Sequence, residues 1–198
     1  DLPEDTDPYD ETVYARGAEN FARMIENGVL SRDENPCYYI YELTMGEHVQ
    51  TGIAAAASIE AYDKNIIRKH EFTRPVKEDD RVRQINALNA QTGPVFLTYR
   101  KMDDVDALVE QIKSVDPVYD LTSDDAVRHR FWVVDDSVMI NRLDSAFSGI
   151  DNLYIADGHH RSAAASRVSA MHRENGHDDN NDSGYFLKIV DTAPGPVK

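Results

Sequence analysis

Leu153-Tyr154-Ile155-Ala156-Asp157-Gly158-His159-His160-Arg161-Ser162 decides how this chain reads. Leu153 to Ala156 is a short β-branched and aromatic run, a strand by propensity. The turn Asp157-Gly158-His159-His160-Arg161 follows, and a helix is expected from about Ser162 to Arg173. A strand feeding a helix through a glycine brings free backbone N–H groups and a positive dipole end to one point, which attracts anions. Gly158 permits the tight turn, and Arg161 can grip a phosphate or carboxylate with two donors. His159 and His160 can donate hydrogen bonds or move protons near neutral pH. Asp157 can hold a histidine tautomer or a divalent cation. A plainer reading stands beside this one, with Asp157 and Gly158 an ordinary turn and Arg161 a solvated first-turn residue. Adjacent histidines also invite zinc, but adjacent side chains diverge and no H-x-x-x-H or cysteine partner is near, so no metal ligand is assigned.

Tyr14, Ala18, Phe21 and Ile25 mark one face of a helix that ends at Gly28. Cys37 to Leu43 reads as a strand, Met45-Gly46-Glu47 as a turn and His48 to Ala57 as the antiparallel return. Ser58 caps a helix that turns Ile59, Tyr62, Ile66 and Ile67 inward. The polar segment His70 to Pro75 precedes a helix over Lys77–Asn89 with Val82, Ile85 and Leu88 in step. Gly93-Pro94 punctuates before a buried strand, Val95 to Tyr99. Asp104 caps a helix carrying Val105, Leu108, Val109 and Ile112. Phe131 to Val134 is a strand, and Ser137 opens a helix holding Ile140, Leu143 and Phe147. His177 to Ser183 is a polar loop, and Tyr185 to Val190 closes as a strand. Strands and helices mix without a regular βαβ rhythm, so the expected class is α+β, a mixed β-sheet with packed helices.

The 198 residues carry 36 acidic and 21 basic side chains, a net charge of -15. No basic stripe answers the counterion-release signature of polymer binders, so DNA and RNA are not expected as partners. The longest apolar run, Ile53 to Ile59, is too short for a bilayer, and the single Cys37 fits a reducing, cytoplasmic setting as a buried structural thiol. The chain lacks an initiator methionine and opens on an acidic loop, giving the expectation of one α+β domain, 1–198, from a longer protein. Its halves are 10–100, with the His-Glu segment, and 101–190, with the Asp-Gly-His-His-Arg turn.

Two further segments carry chemistry. His70-Glu71 sets a carboxylate beside an imidazole, a workable general base or a solvated helix end. Lys77-Glu78-Asp79-Asp80-Arg81 reads first as a solvent face, and Thr92-Gly93-Pro94 as a turn. Walker-type, Rossmann, G-x-S-x-G and H-E-x-x-H motifs are absent from the sequence.

His70 to Thr73, the Lys77-Glu78-x-x-Arg81 run, Asn89-Ala90-x-Thr92-Gly93-Pro94 and, above all, Tyr154 to Arg161 resemble the bacterial and archaeal domain of unknown function 1015 family, over about Tyr14 to Val190. The Asp-Gly-His-His-Arg turn is also similar to one in the ParB/sulfiredoxin superfamily, whose free-serine kinases use a glutamate as base. The resemblance implies a ParB/sulfiredoxin-like nucleotide-binding core. In it Glu71, Asp157 and His160 line the reaction centre, and Gly158, His159, Arg161 and Ser162 cradle phosphates. It implies ATP or ADP with magnesium (Mg2+) as cofactors, and phosphoryl transfer to a small hydroxyl substrate led by free L-serine. A nucleotide-binding regulatory module without turnover, and a nucleotide or phosphoester hydrolase, are the alternatives. The sulfiredoxin cysteine is absent from the turn, which excludes sulfinic-acid reduction.

Overall fold

A computed structural model describes residues 2–175 and the backbone of 185–191. The polar loop expected over His177–Ser183 lies outside the described residues. Among the described residues, six helices and eight strands follow in the order α1 (Glu11–Glu26), β1 (Tyr38–Met45), β2 (His48–Ser58), α2 (Ile59–Asp63), β3 (Ile67–Arg68), α3 (Pro75–Leu88), β4 (Val95–Thr98), α4 (Asp103–Ile112), β5 (Tyr119–Thr122), β6 (Arg128–Val134), α5 (Ser137–Ser148), β7 (Leu153–Asp157), α6 (His159–Glu174) and β8 (Tyr185–Asp191).

All eight strands join one mixed sheet ordered β3-β7-β4-β8-β2-β1-β6-β5. The β1–β2 hairpin is antiparallel, whereas β3–β7 and β4–β8 are parallel pairs. Strands from the two halves of the chain alternate at the β3 end, so the sheet is stitched from both. The α+β expectation holds.

Register explains where the core sits. Ile40 lies opposite Trp132 and Ile53, and Leu97 lies opposite Ile155. Side chains in register share a face, and these five belong to one buried cluster with Tyr62 of α2, Val105 and Leu108 of α4, Leu143 of α5 and Ala165 of α6. Four helices therefore pack on this face. On the other, Tyr39 stacks on Phe131 at 5.1 Å between centroids, and Tyr41 and Tyr119 flank Phe131. Behind α6, Val82 and Ile85 of α3 meet Ala164 and Val168 in a smaller cluster, so α6 is held between the sheet and α3.

Several boundaries differ from the sequence reading. The helix capped by Ser58 stops at Asp63; Ile67 is buried in β3, while Ile66 is exposed. Asp104 does not cap α4, because Met102 occupies the N-cap position and Asp103, Asp104 and Asp106 sit in the first turn. Their charges still favour the positive end of the helix dipole. Ser137 opens α5 as expected, and Asp136 caps it, accepting the Met139 N–H at 2.8 Å. Cys37 is half-buried at the entrance to β1 rather than a core thiol. Strands β3 and β5 were not expected from sequence: one has two residues, and β5 is exposed throughout.

Candidate functional site

The turn after β7 is tighter than the sequence suggests. Asp157 ends the strand, Gly158 alone forms the N-cap, and His159 is already helical, so α6 begins ahead of the expected Ser162. Gly158 takes φ +102°, in the left-handed region that disfavours any side chain. It has no side chain to cap the helix, so the first-turn N–H groups gain no side-chain cap from it.

Arg161 folds back over this turn and pairs with Asp157, four residues before it on the same chain. Its stem and guanidinium lie across two glycines. A Cβ on Gly158 would stand 3.1 Å from Arg161 Nε, and one on Gly93 would stand 3.1 Å from Arg161 Cδ. The Thr92-Gly93-Pro94 turn is thus a seat for the arginine as well as a chain reversal.

The two histidines hold the loop between β3 and α3. His160 Nε2 accepts the Arg74 backbone N–H at 3.1 Å, and His159 Nε2 accepts that of His70 in a longer contact of 3.5 Å. Both imidazoles accept through Nε2, which places their proton on Nδ1 when neutral. Nδ1 of the buried His159 then faces Glu71, with Oε2 at 3.6 Å, and its ring meets His70 edge-on at 4.4 Å between centroids. Burial pushes the His159 imidazole below its ordinary value and the nearby His70 adds to this, while Glu71 pulls the other way. Between the two latches the loop projects Phe72, which is 99% exposed.

These residues share one cleft of about 470 Å³, within the roughly 300–1,000 Å³ usual for small-molecule sites. Glu71, Asp157, Gly158, His159, His160 and Arg161 all line it. Ser162 does not: it is fully buried, and its hydroxyl donates to the Gly158 carbonyl at 3.1 Å. That bond supports the glycine turn from behind.

The facing wall is α3 and the loop after it. Lys77, Asp80, Arg81, Gln84 and Ile85 line the cleft with Gln91, Thr92 and Tyr9. The charge run Lys77 to Arg81 is therefore not simply a solvent face. Glu78 and Asp79 turn to Arg167 of α6, and Asp80 accepts the Tyr14 hydroxyl at 2.8 Å. Lys77, Arg81 and Gln84 recur at steps of four and three, a stripe visible in the sequence once the helix is known to face a site. Tyr9, Gln91 and Thr92 carry no such periodic signal.

The lining mixes three fixed cations, Lys77, Arg81 and Arg161, with three carboxylates, Glu71, Asp80 and Asp157. Such a set can bind an anion at the helix start while keeping an acceptor for a proton. Among the described residues, no three His, Cys, Asp or Glu side chains group as a metal cage, and no helix is long and apolar enough to cross a membrane.

A family model described as "Protein of unknown function (DUF1015)" matches residues 1–192. No curated protein and no solved structure matches the chain.

Proposed function

The chain belongs to the family described as Protein of unknown function (DUF1015), and we propose that its cleft binds ATP or ADP and transfers a phosphoryl group to a small hydroxyl metabolite, with free L-serine the leading acceptor. The observation that carries this is the meeting of Glu71 with the α6 turn. A carboxylate from a distant loop stands 3.6 Å from His159 Nδ1 and lines the cleft with Gly158 and Arg161. An acceptor for a proton and a seat for phosphate therefore share one cleft. The likeness of the Asp157–Arg161 turn to that of the ParB/sulfiredoxin superfamily supports the same reading.

In this reading Glu71 accepts the hydroxyl proton as the acceptor oxygen attacks the terminal phosphorus. The bond from that phosphorus to the bridging oxygen breaks, and the nucleotide leaves with one phosphate fewer. The first-turn N–H groups of α6 and Arg161 face the transferring oxygens, and His160 borders the same space. Phosphoryl transfer depends on placement and charge neutralisation more than on covalent catalysis. Asp157 and His160 would position a magnesium ion brought in on the nucleotide phosphates. When bound, it neutralises phosphate charge.

The test is incubation with ATP or ADP, magnesium and a panel of hydroxyl metabolites led by L-serine, with products followed by phosphorus NMR. A phosphorylated metabolite that disappears with Glu71→Gln supports the proposal.

A second reading, a nucleotide-gated module without turnover, draws on a different observation. The loop bearing the exposed Phe72 is latched by the two imidazoles at the α6 start, so a ligand there would act directly on an aromatic available to a protein partner. Tight nucleotide binding with no phosphorylated product would favour this module.

A further inference from the structure

Resting on the phosphate-binding reading above, we propose that Lys77 and Arg81 form a second anion subsite facing the α6 turn, so that the cleft selects di- or triphosphates over single phosphates. Arg161 is already matched to Asp157, and Arg167, the other arginine of α6 at the α3 contact, is matched to Glu78 and Asp79. Each therefore meets a polyanion with part of its charge already balanced. Lys77 lines the cleft and makes no ion pair among the described residues. Arg81 lines it too, with Nη1 donating to the neutral Gln84 amide at 2.7 Å and Nε only 3.7 Å from Asp80. Asp80 in turn accepts the Tyr14 hydroxyl at 2.8 Å, which further spreads its charge.

Lys77 and Arg81 are one helical turn apart, so their side chains leave the same side of α3. The α6 first turn across the cleft offers backbone donors, while α3 offers mobile full charges. A ligand with one anionic group satisfies one wall; a chain of two or three phosphates satisfies both. Arg161 then serves the phosphate nearest the α6 turn, and α3 supplies the charge that discriminates by phosphate number.

The test is calorimetric titration of the chain with inorganic tripolyphosphate, pyrophosphate and orthophosphate, on wild type, Lys77→Met and Arg81→Met, with circular dichroism to confirm folding. Wild type is expected to prefer tripolyphosphate, and each variant to lose about tenfold or more in that affinity while orthophosphate binding changes little. Variants that fold and bind tripolyphosphate as wild type does would overturn the subsite and leave the phosphate-binding reading standing. Wild type that binds none of the three at millimolar concentration would overturn both. Should a methionine variant not fold, Lys77→Gln and Arg81→Gln read the same affinities.

Discussion

Oε2 of Glu71 stands 3.6 Å from Nδ1 of His159, joining a loop from the first half of the chain to the first turn of α6. The spacing exceeds a hydrogen bond, so the carboxylate is oriented toward the imidazole without being fully consumed by it. Glu71 is half-exposed while His159 is buried, so the histidine is the fixed member and the glutamate the one able to reach a ligand.

Glu71→Gln keeps the shape of this contact and removes the proton acceptor. Turnover is expected to fall by about 10²- to 10⁴-fold, with nucleotide affinity changed only a few-fold. Rate measurements paired with a nucleotide titration check this. A parallel loss of affinity would make Glu71 a binding group instead.

His159 ties stability to pH. Its folded-state value lies below the ordinary 6.5, chiefly through burial. Between those two values the unfolded chain binds the extra proton, so unfolding becomes easier as pH falls. The contribution is complete above about 6.5 and is lost as pH drops through the folded value. Thermal melts from pH 7.5 to 5 should show a declining Tm, with a shallower decline in His159→Gln.

Gly158→Ala and Gly93→Ala are expected to separate stability from site geometry. At Gly158 an added Cβ is strained by φ +102° and also meets Val95 Cγ2 at 3.2 Å. Left-handed backbone at a non-glycine residue costs about 1–2 kcal/mol, which corresponds to a Tm loss of about 2–8 °C in a chain of this size. At Gly93 the tight neighbour is the flexible Arg161 stem. That variant should melt close to wild type yet displace the arginine and weaken phosphate binding. Equal Tm losses in the two variants would contradict this account.

Glu42 is a buried carboxylate set between Lys113, at 2.8 Å, and Arg130, with the Thr51 hydroxyl at 3.3 Å. Burial alone would raise its pKa, but the two cations outweigh burial and hold it below 4.5. Its stabilising contribution is present above about 4.5 and is lost as pH falls through the folded value. Glu42→Ala strips Arg130 of its carboxylate while Lys113 keeps Glu110 at 2.8 Å, and is expected to cost about 3 kcal/mol. Chemical denaturation at pH 7 reads this directly, and a loss under 1 kcal/mol would show that water replaces the carboxylate.

Local patterns determined much of this protein from the sequence alone. The Met45-Gly46-Glu47 turn between two strand-forming runs specified the β1–β2 hairpin, whose register runs from Met45↔His48 to Tyr39↔Ala54. Val105, Leu108, Val109 and Ile112 recur at helical spacing and are all buried in α4. Asp157-Gly158-His159-His160-Arg161 declared a strand-to-helix turn because its signals, a glycine and a dense set of polar residues, lie within a few positions of one another. Only the tertiary structure decided what meets that turn. Sheet order sets β7 between β3 and β4, and the segment leaving β3 carries Glu71 to His159. Nothing in the periodicity of a strand names its distant neighbour, since pairing depends on burial summed over the whole sheet. The same holds for α3: amphipathic spacing identifies which side of the helix is apolar, but a charged side reads alike whether it faces water or a cleft. Packing of Val82 and Ile85 on α6 fixed the roll of α3 and turned Lys77 and Arg81 toward the site.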